Sequence, residues 1–236
     1  MNLILLFPED FYSGREKVRL TGRRLRHVLE VHRAAVGDTL NVGLASGKMG
    51  TGAVTRLDLD ALEMEVLLDH APPPPLPVIL LLSLPRPKVL KRVLLCAASM
   101  GVKRIFLINS WRVEKSFWKS PALEKEKVSE ALALGLEQAR DTILPQVMLR
   151  PLFKPFVEDE LPDIVKDSIS IVAHPGGAAI FPREVDRPVV LAVGPEGGFI
   201  PYELESFKRL GFQMAGLGER VLRVESAVPA LLAKLF

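Results

Sequence analysis

Cysteine is nearly absent: Cys96 stands alone in 236 residues. That excludes an intramolecular disulfide and a cysteine-based zinc cluster, and it suits a reducing compartment. The histidines are His27, His32, His70 and His174. Only His27 and His32 are close in sequence, five apart, and no second pair completes a ligand set, so no metal is expected. Uninterrupted apolar stretches such as Val78–Leu82 stop far short of the roughly 20 residues a membrane span needs. The first ten residues, MNLILLFPED, have no basic start and meet Pro8 and two acids at once, unlike a signal peptide. A cytoplasmic protein with no membrane partner is therefore expected. The catalytic patterns GxSxG, HExxH and GxGxxG are missing. Gly43 to Lys48 has the wrong spacing for a phosphate loop and reads better as a β-turn. The net charge of +3 is too small to identify a polyanionic partner by itself.

What is present is an ordinary globular composition, 48% apolar and 25% charged, long enough for one large domain or two unequal ones. The clearest seam is the run from Pro72 to Pro77, with four consecutive prolines that favour a stiff spacer over a helix or a central strand. It divides the chain into expected domains 1–72 and 73–236. Before it, short strands are predicted at Asn2–Phe7, Thr39–Leu44, Gly52–Leu57 and Leu62–Leu68, with one helix at Thr21–Val31. After it, strands alternate with helices. Strands are predicted at Val78–Leu84, Arg104–Asn109, Ser168–Ala173 and Pro188–Val193. Helices are predicted at Pro87–Met100, Pro121–Ala139, Tyr202–Leu210 and Val224–Phe236. Solid apolar strands between helices indicate a parallel sheet covered on both faces. The fold class is thus α/β, with a small β-rich N-terminal domain. Cys96 falls on the apolar face of its helix and reads as a structural thiol.

Two segments stand out chemically. Gly194-Pro195-Glu196-Gly197-Gly198-Phe199 follows a buried strand directly and leads into a helix. Ligands of open α/β sheets bind beyond the carboxyl ends of the strands, and glycines there let the backbone approach a ligand closely. A tight turn with Glu196 as a solvated acid is the plainer alternative. The second segment runs from Gly216 to Ala227, a glycine-bearing loop with Arg220 and Arg223 three apart. Glu225 and Ser226 enter the terminal helix, where they could simply cap its first turn.

Taken together, GPEGGF and LGERVLRVESA resemble the paired motifs of the RsmE family of 16S rRNA (uracil-N3)-methyltransferases, in the SPOUT superfamily. Val221 and Ser226 replace the usual isoleucine and threonine of the second motif. Glu137-Gln138-Ala139-Arg140 is similar to a further family pattern, and His27-Val28-Leu29 with Gly37-Asp38 fits the family's N-terminal domain. Ser99 stands where the family usually has glutamate. The resemblance covers nearly the whole chain. It implies a SPOUT trefoil-knot methyltransferase domain after a PUA-like β-barrel, a homodimer, and S-adenosyl-L-methionine as cofactor. Gly194, Pro195, Glu196, Gly197, Gly198, Leu217, Gly218 and Leu222 would hold that cofactor, with Leu222 against the adenine.

The activity implied is methyl transfer to N3 of a uridine in 16S rRNA of the small ribosomal subunit. Arg223 is the first candidate for stabilising the uracil, Arg220 the second, and Glu225 and Glu196 are candidate bases. The basic residues Arg15, Lys17, Arg19, Arg23, Arg24 and Arg26 form the expected RNA-binding patch, since phosphate neutralisation drives nucleic-acid affinity. Lys88, Lys91 and Arg92 make a second basic helix face. The alternatives are a SPOUT ribose 2′-O-methyltransferase, whose last motif differs from Leu222-Arg223-Val224, and a non-catalytic RNA-binding protein on the same fold.

Overall fold

The computed structural model describes residues 2–14, 16–177 and 179–236. Its contacts divide the chain into two compact units, Met1–Pro74 with Ala133–Leu144, and Pro75–Leu132 with Pro145–Phe236.

The first unit is built on strands β1 (Ile4–Leu6), β2 (Phe11–Ser13), β3 (Lys17–Leu20), β4 (Thr39–Leu44), β5 (Met49–Leu57) and β6 (Leu62–His70), with helix α1 (Gly22–His27) between β3 and β4. Among the described residues these strands form one sheet in the order β1-β4-β5-β6-β3-β2. The pairings are antiparallel except β1 with β4. Alternation explains which face is buried: Leu40 and Val42 point inward while Thr39 and Asn41 stay exposed. Ile4 and Leu6, on one edge strand, share a single core with Val18 and Leu20, next to the other edge. Only a strongly curled sheet brings opposite margins into one core, which gives the unit its barrel-like form. The predicted helix over 21–31 is shorter and uneven. After His27 the turns widen into a π segment, Val28–His32, which ends at Arg33 in the left-handed conformation. The strands β2 and β3 were not anticipated, because a four-residue alternation of cation and aliphatic is too short to separate from a loop.

In the second unit the strands are β7 (Val78–Ser83), β8 (Arg104–Ile108), β9 (Gln146–Arg150), β10 (Ile169–Ala173), β11 (Ala179–Ile180), β12 (Val189–Val193) and β13 (Gln213–Gly216). The helices are α2 (Pro87–Ser99), α3 (Lys125–Ala139), whose residues from Ala133 on belong to the first unit, the short α4 (Phe153–Pro155) and α5 (Leu161–Ile164), α6 (Pro201–Arg209) and α7 (Val224–Leu235). All pairings among the described strands are parallel, in the order β11-β13-β10-β12-β7-β8-β9. Successive residues of the central strands enter opposite cores. Leu80, Leu82, Ile105, Leu107 and Leu191 pack with α2 and α7. Leu81, Phe106, Val190 and Ala192 pack with Phe156, Leu161 and Phe207 on the other face. Both faces are therefore covered, as the apolar strand sequences require. Cys96 is half-buried, and burial pushes its thiol above the ordinary value, as suits a structural residue.

Much of the N-terminal positive charge is neutralised within the first unit. The β3–β6 register sets Lys17 opposite Glu65 and Arg19 opposite Glu63, with ion pairs of 3.2 and 2.6 Å. The Arg19 guanidinium holds the Glu63 carboxyl below its usual range. Arg23 meets the buried Glu137 at 2.9 Å. Arg24 grips both oxygens of Asp10, at 2.5 and 2.7 Å, donates to the Leu5 carbonyl, and lies over the Phe7 ring. Asp10 is only 7% exposed. Replacing Arg24 would leave a buried carboxylate without its partner, a loss of roughly 3 kcal/mol for such a pair. Urea unfolding of Arg24→Met is expected to show a drop of that order, while Arg26→Ala stays within about 0.5 kcal/mol of wild type.

Candidate functional site

β13, β10 and β12 are neighbours in the parallel sheet, so the loops leaving their carboxyl ends are also neighbours. The loops begin at His174, Gly194 and Leu217. They surround a cavity of about 290 Å³, at the lower edge of the roughly 300–1,000 Å³ usual for small-molecule sites. The start of α7 closes it with Val224, Ala227 and Leu231, and Arg112 reaches it from the loop after β8. Phe199 and Val193 are buried behind the glycine loop, giving the cavity a rigid apolar back.

Two glycines are required by geometry. Gly198 has φ +72°, and its N–H closes a turn on the Pro195 carbonyl at 2.8 Å. At Gly216 a Cβ would lie 2.9 Å from the His174 carbonyl oxygen, so only glycine lets these two loops come so close. The loop after β8 is also fixed. Glu203, buried in the first turn of α6, accepts the Trp111 N–H at 2.7 Å and the Ile200 N–H at 2.9 Å. Arg112 then donates through Nη1 to the Gly197 carbonyl.

The residues expected around the cofactor (Gly194, Pro195, Glu196, Gly197, Gly198, Leu217, Gly218 and Leu222) all line this one cavity. Of the expected catalytic residues, Arg220 and Glu196 line it, while Arg223 and Glu225 sit at the start of α7 without lining it. The Glu196 carboxylate accepts the Arg86 N–H at 3.2 Å and lies 4.0 Å from the Arg86 Nε, which ties it to the start of α2. Arg223 is exposed, and its carbonyl accepts the N–H groups of Ser226 and Ala227 as α7 begins. Its side chain has no ion pair among the described residues. Glu225 is half-buried one residue into α7.

The proposed RNA residues are distributed otherwise. Arg15 lies outside the described residues. Lys17, Arg19, Arg23 and Arg24 are paired with acids, and Arg26 is exposed and unpaired among the described residues. On the second basic face, Lys91 lies 3.4 Å from Glu130.

Sequence reasoning passed over Arg112 and His174 as site residues. Both follow the carboxyl end of a parallel strand, and that rule applied to every such strand would have found them. Among the described residues no cluster of three or more His, Cys, Asp or Glu could hold a metal ion, and no helix is long and apolar enough to cross a membrane.

Residues 72–235 match the model of a family described as RNA methyltransferase domain. The chain belongs to this family. Two of its relatives span nearly all of it. A ribosomal RNA small subunit methyltransferase E of Treponema pallidum is 27% identical over 245 residues, covering 99% of this chain and 90% of that one. A protein of the same description from Synechocystis is 24% identical, covering 98% and 76%. The crystal structure of a ribosomal RNA small subunit methyltransferase E from Neisseria gonorrhoeae, bound to S-adenosyl methionine, has the same fold. Its TM-score is 0.77 at 24% identity, covering 99% of this chain and 95% of that one.

The close loop approach gives a stability test of this family member. Gly216→Ala is expected to lose about 1–3 kcal/mol in urea unfolding, because the added carbon meets backbone that cannot turn aside. Gly197→Ala meets only the movable Arg112 side chain, and is expected to stay within about 0.5 kcal/mol.

Proposed function

We propose that this protein transfers a methyl group from S-adenosyl-L-methionine to N3 of a uridine in 16S rRNA of the small ribosomal subunit. The observation that carries the reading is the meeting of GPEGG with Leu217, Gly218, Arg220 and Leu222 of the second motif in one cavity, in a chain of the RNA methyltransferase family. The insertion of β12 between the earlier strands β7 and β10 supports a knotted SPOUT path through the second unit. The curled first unit suits a PUA-like RNA-binding domain. In this reading the working form is a homodimer acting on rRNA in the cytoplasm, and the two units supply RNA binding and methyl transfer respectively.

The cavity fits the cofactor by its chemistry. Leu217 and Leu222 offer apolar surface for an adenine ring, and the glycine-rich loops expose main-chain groups at close range. When bound, the cofactor supplies an electrophilic methyl group on its sulfonium. The remaining work falls to the chain. The N3 proton of uracil is only weakly acidic, and N3 must lose it as the N–CH₃ bond forms. Arg220, in the cavity wall, and Arg223, exposed and next to Leu222 in the chain, are the cations to favour the developing uracil anion. Two carboxylates are candidates to take the proton: Glu196, which lines the cavity and accepts the Arg86 N–H, and Glu225, at the start of α7. The base itself must be unstacked to enter.

Isothermal titration should give one S-adenosyl-L-methionine site per chain, and mapping of rRNA from a strain lacking the protein should reveal one missing N3-methyluridine. A ribose-methylated nucleotide in its place would overturn the base assignment. Arg223→Ala is expected to slow single-turnover methylation by about a hundredfold, as for removal of one donor to a developing anion, with cofactor affinity nearly unchanged. Equal loss of cofactor affinity would make Arg223 a structural residue of the loop.

A further inference from the structure

Trp111 is 80% exposed, although tryptophan is the side chain with most to gain from burial. Its backbone is nevertheless rigid. The buried Glu203 carboxylate holds the Trp111 N–H and, through its other oxygen, the start of α6. The next residue, Arg112, is tied to the Gly197 carbonyl in the cavity wall. A large apolar plane is thus exposed on a loop anchored through its main chain, one residue before Arg112 of the cavity wall. The stretch 112–119 carries three cations and one acid. Lys115 and Lys119 are exposed without an ion pair among the described residues, against the single acid Glu114. A protruding indole followed in the chain by unneutralised positive charge suits an unpaired nucleobase, which offers a π-face together with a phosphate.

We propose that Trp111 is a stacking platform for an unpaired base of the RNA substrate, adjacent to the uridine that enters the cavity. Trp111 is then a positioning residue. It holds the neighbouring nucleotide out of the RNA stack, so that the target base is presented to Arg220 and Arg223 without passing through a helix. Arg112 would stand between the stacked base and the cavity. This inference rests on the RNA methyltransferase reading above, and adds to it how the strand is held.

The test uses the full-length protein and 30S particles from a strain lacking it, in single-turnover methylation at varied particle concentration. Trp111→Ala should raise the half-saturating particle concentration about tenfold, the scale of one lost base–aromatic stack. The maximal rate should change less, and titrated S-adenosyl-L-methionine affinity and the melting temperature should not change. Trp111→Phe, which keeps a π-face, should recover most of the loss. Unchanged saturation in Trp111→Ala overturns the inference while leaving the methyltransferase reading intact. A shift in sedimentation from dimer to monomer in Trp111→Ala also overturns it, because the indole would then cover a second copy of the chain. If wild-type protein methylates no 30S particles, the methyltransferase reading fails and the inference falls with it.

Discussion

The second unit depends on the placement of β12. It pairs with β7 on one side and with β10 on the other, through five residues in each case. No side chain of Val189–Val193 is left exposed. Because the strand enters between two earlier ones, the loop that leaves it emerges beside the loop from β10, and β13 then brings a third alongside. A cavity lined mostly by main chain and small residues follows from that order of strands. The same placement directs Gly194–Phe199 into the cavity and Glu203 toward the loop after β8, so three separate stretches of sequence become one rigid rim.

The sheet was legible because its strands are apolar throughout. Val78–Leu82 and Val189–Val193 leave no choice but double-sided burial, and the observed spans differ from the expected ones by a residue or so at the ends. What escaped notice was weaker in pattern. Gln146–Arg150 is an edge strand carrying polar residues, and Gln213–Gly216 is short and glycine-ended. Phe153–Ile164 is a broken helix with a proline at each of two turns. None of these has a clean period. The strand order was not legible either, since the periodicity of a strand carries no information about its neighbours.

The site divides in the same way. Glycines and cations announce a loop, and the residues expected around the cofactor do gather in one cavity. Charge could not be read locally. Counting cations from Arg15 to Arg33 suggests a strongly positive surface, but Glu63, Glu65, Glu137 and Asp10 come from elsewhere in the fold to meet them. A cation opposite an acid on the next strand is invisible until the register is known. Arg24 shows the extreme of this: a residue with every appearance of a phosphate contact is a structural clamp on Asp10.

The position of β12 also bears on how the protein is made. Val78 and Val189 are partners across the middle of the sheet, yet they lie more than a hundred positions apart in the chain. Parallel pairings over such distances carry a high loop-closure cost, and folds dominated by them form slowly. During synthesis β7 and β8 leave the ribosome long before the strand that completes their sheet exists. Until then the β7 edge, Val-Ile-Leu-Leu-Leu, is an unpaired apolar ribbon of the kind that aggregates. The centre of this sheet is thus settled late, and the nascent chain must be kept from pairing that edge with anything else in the meantime.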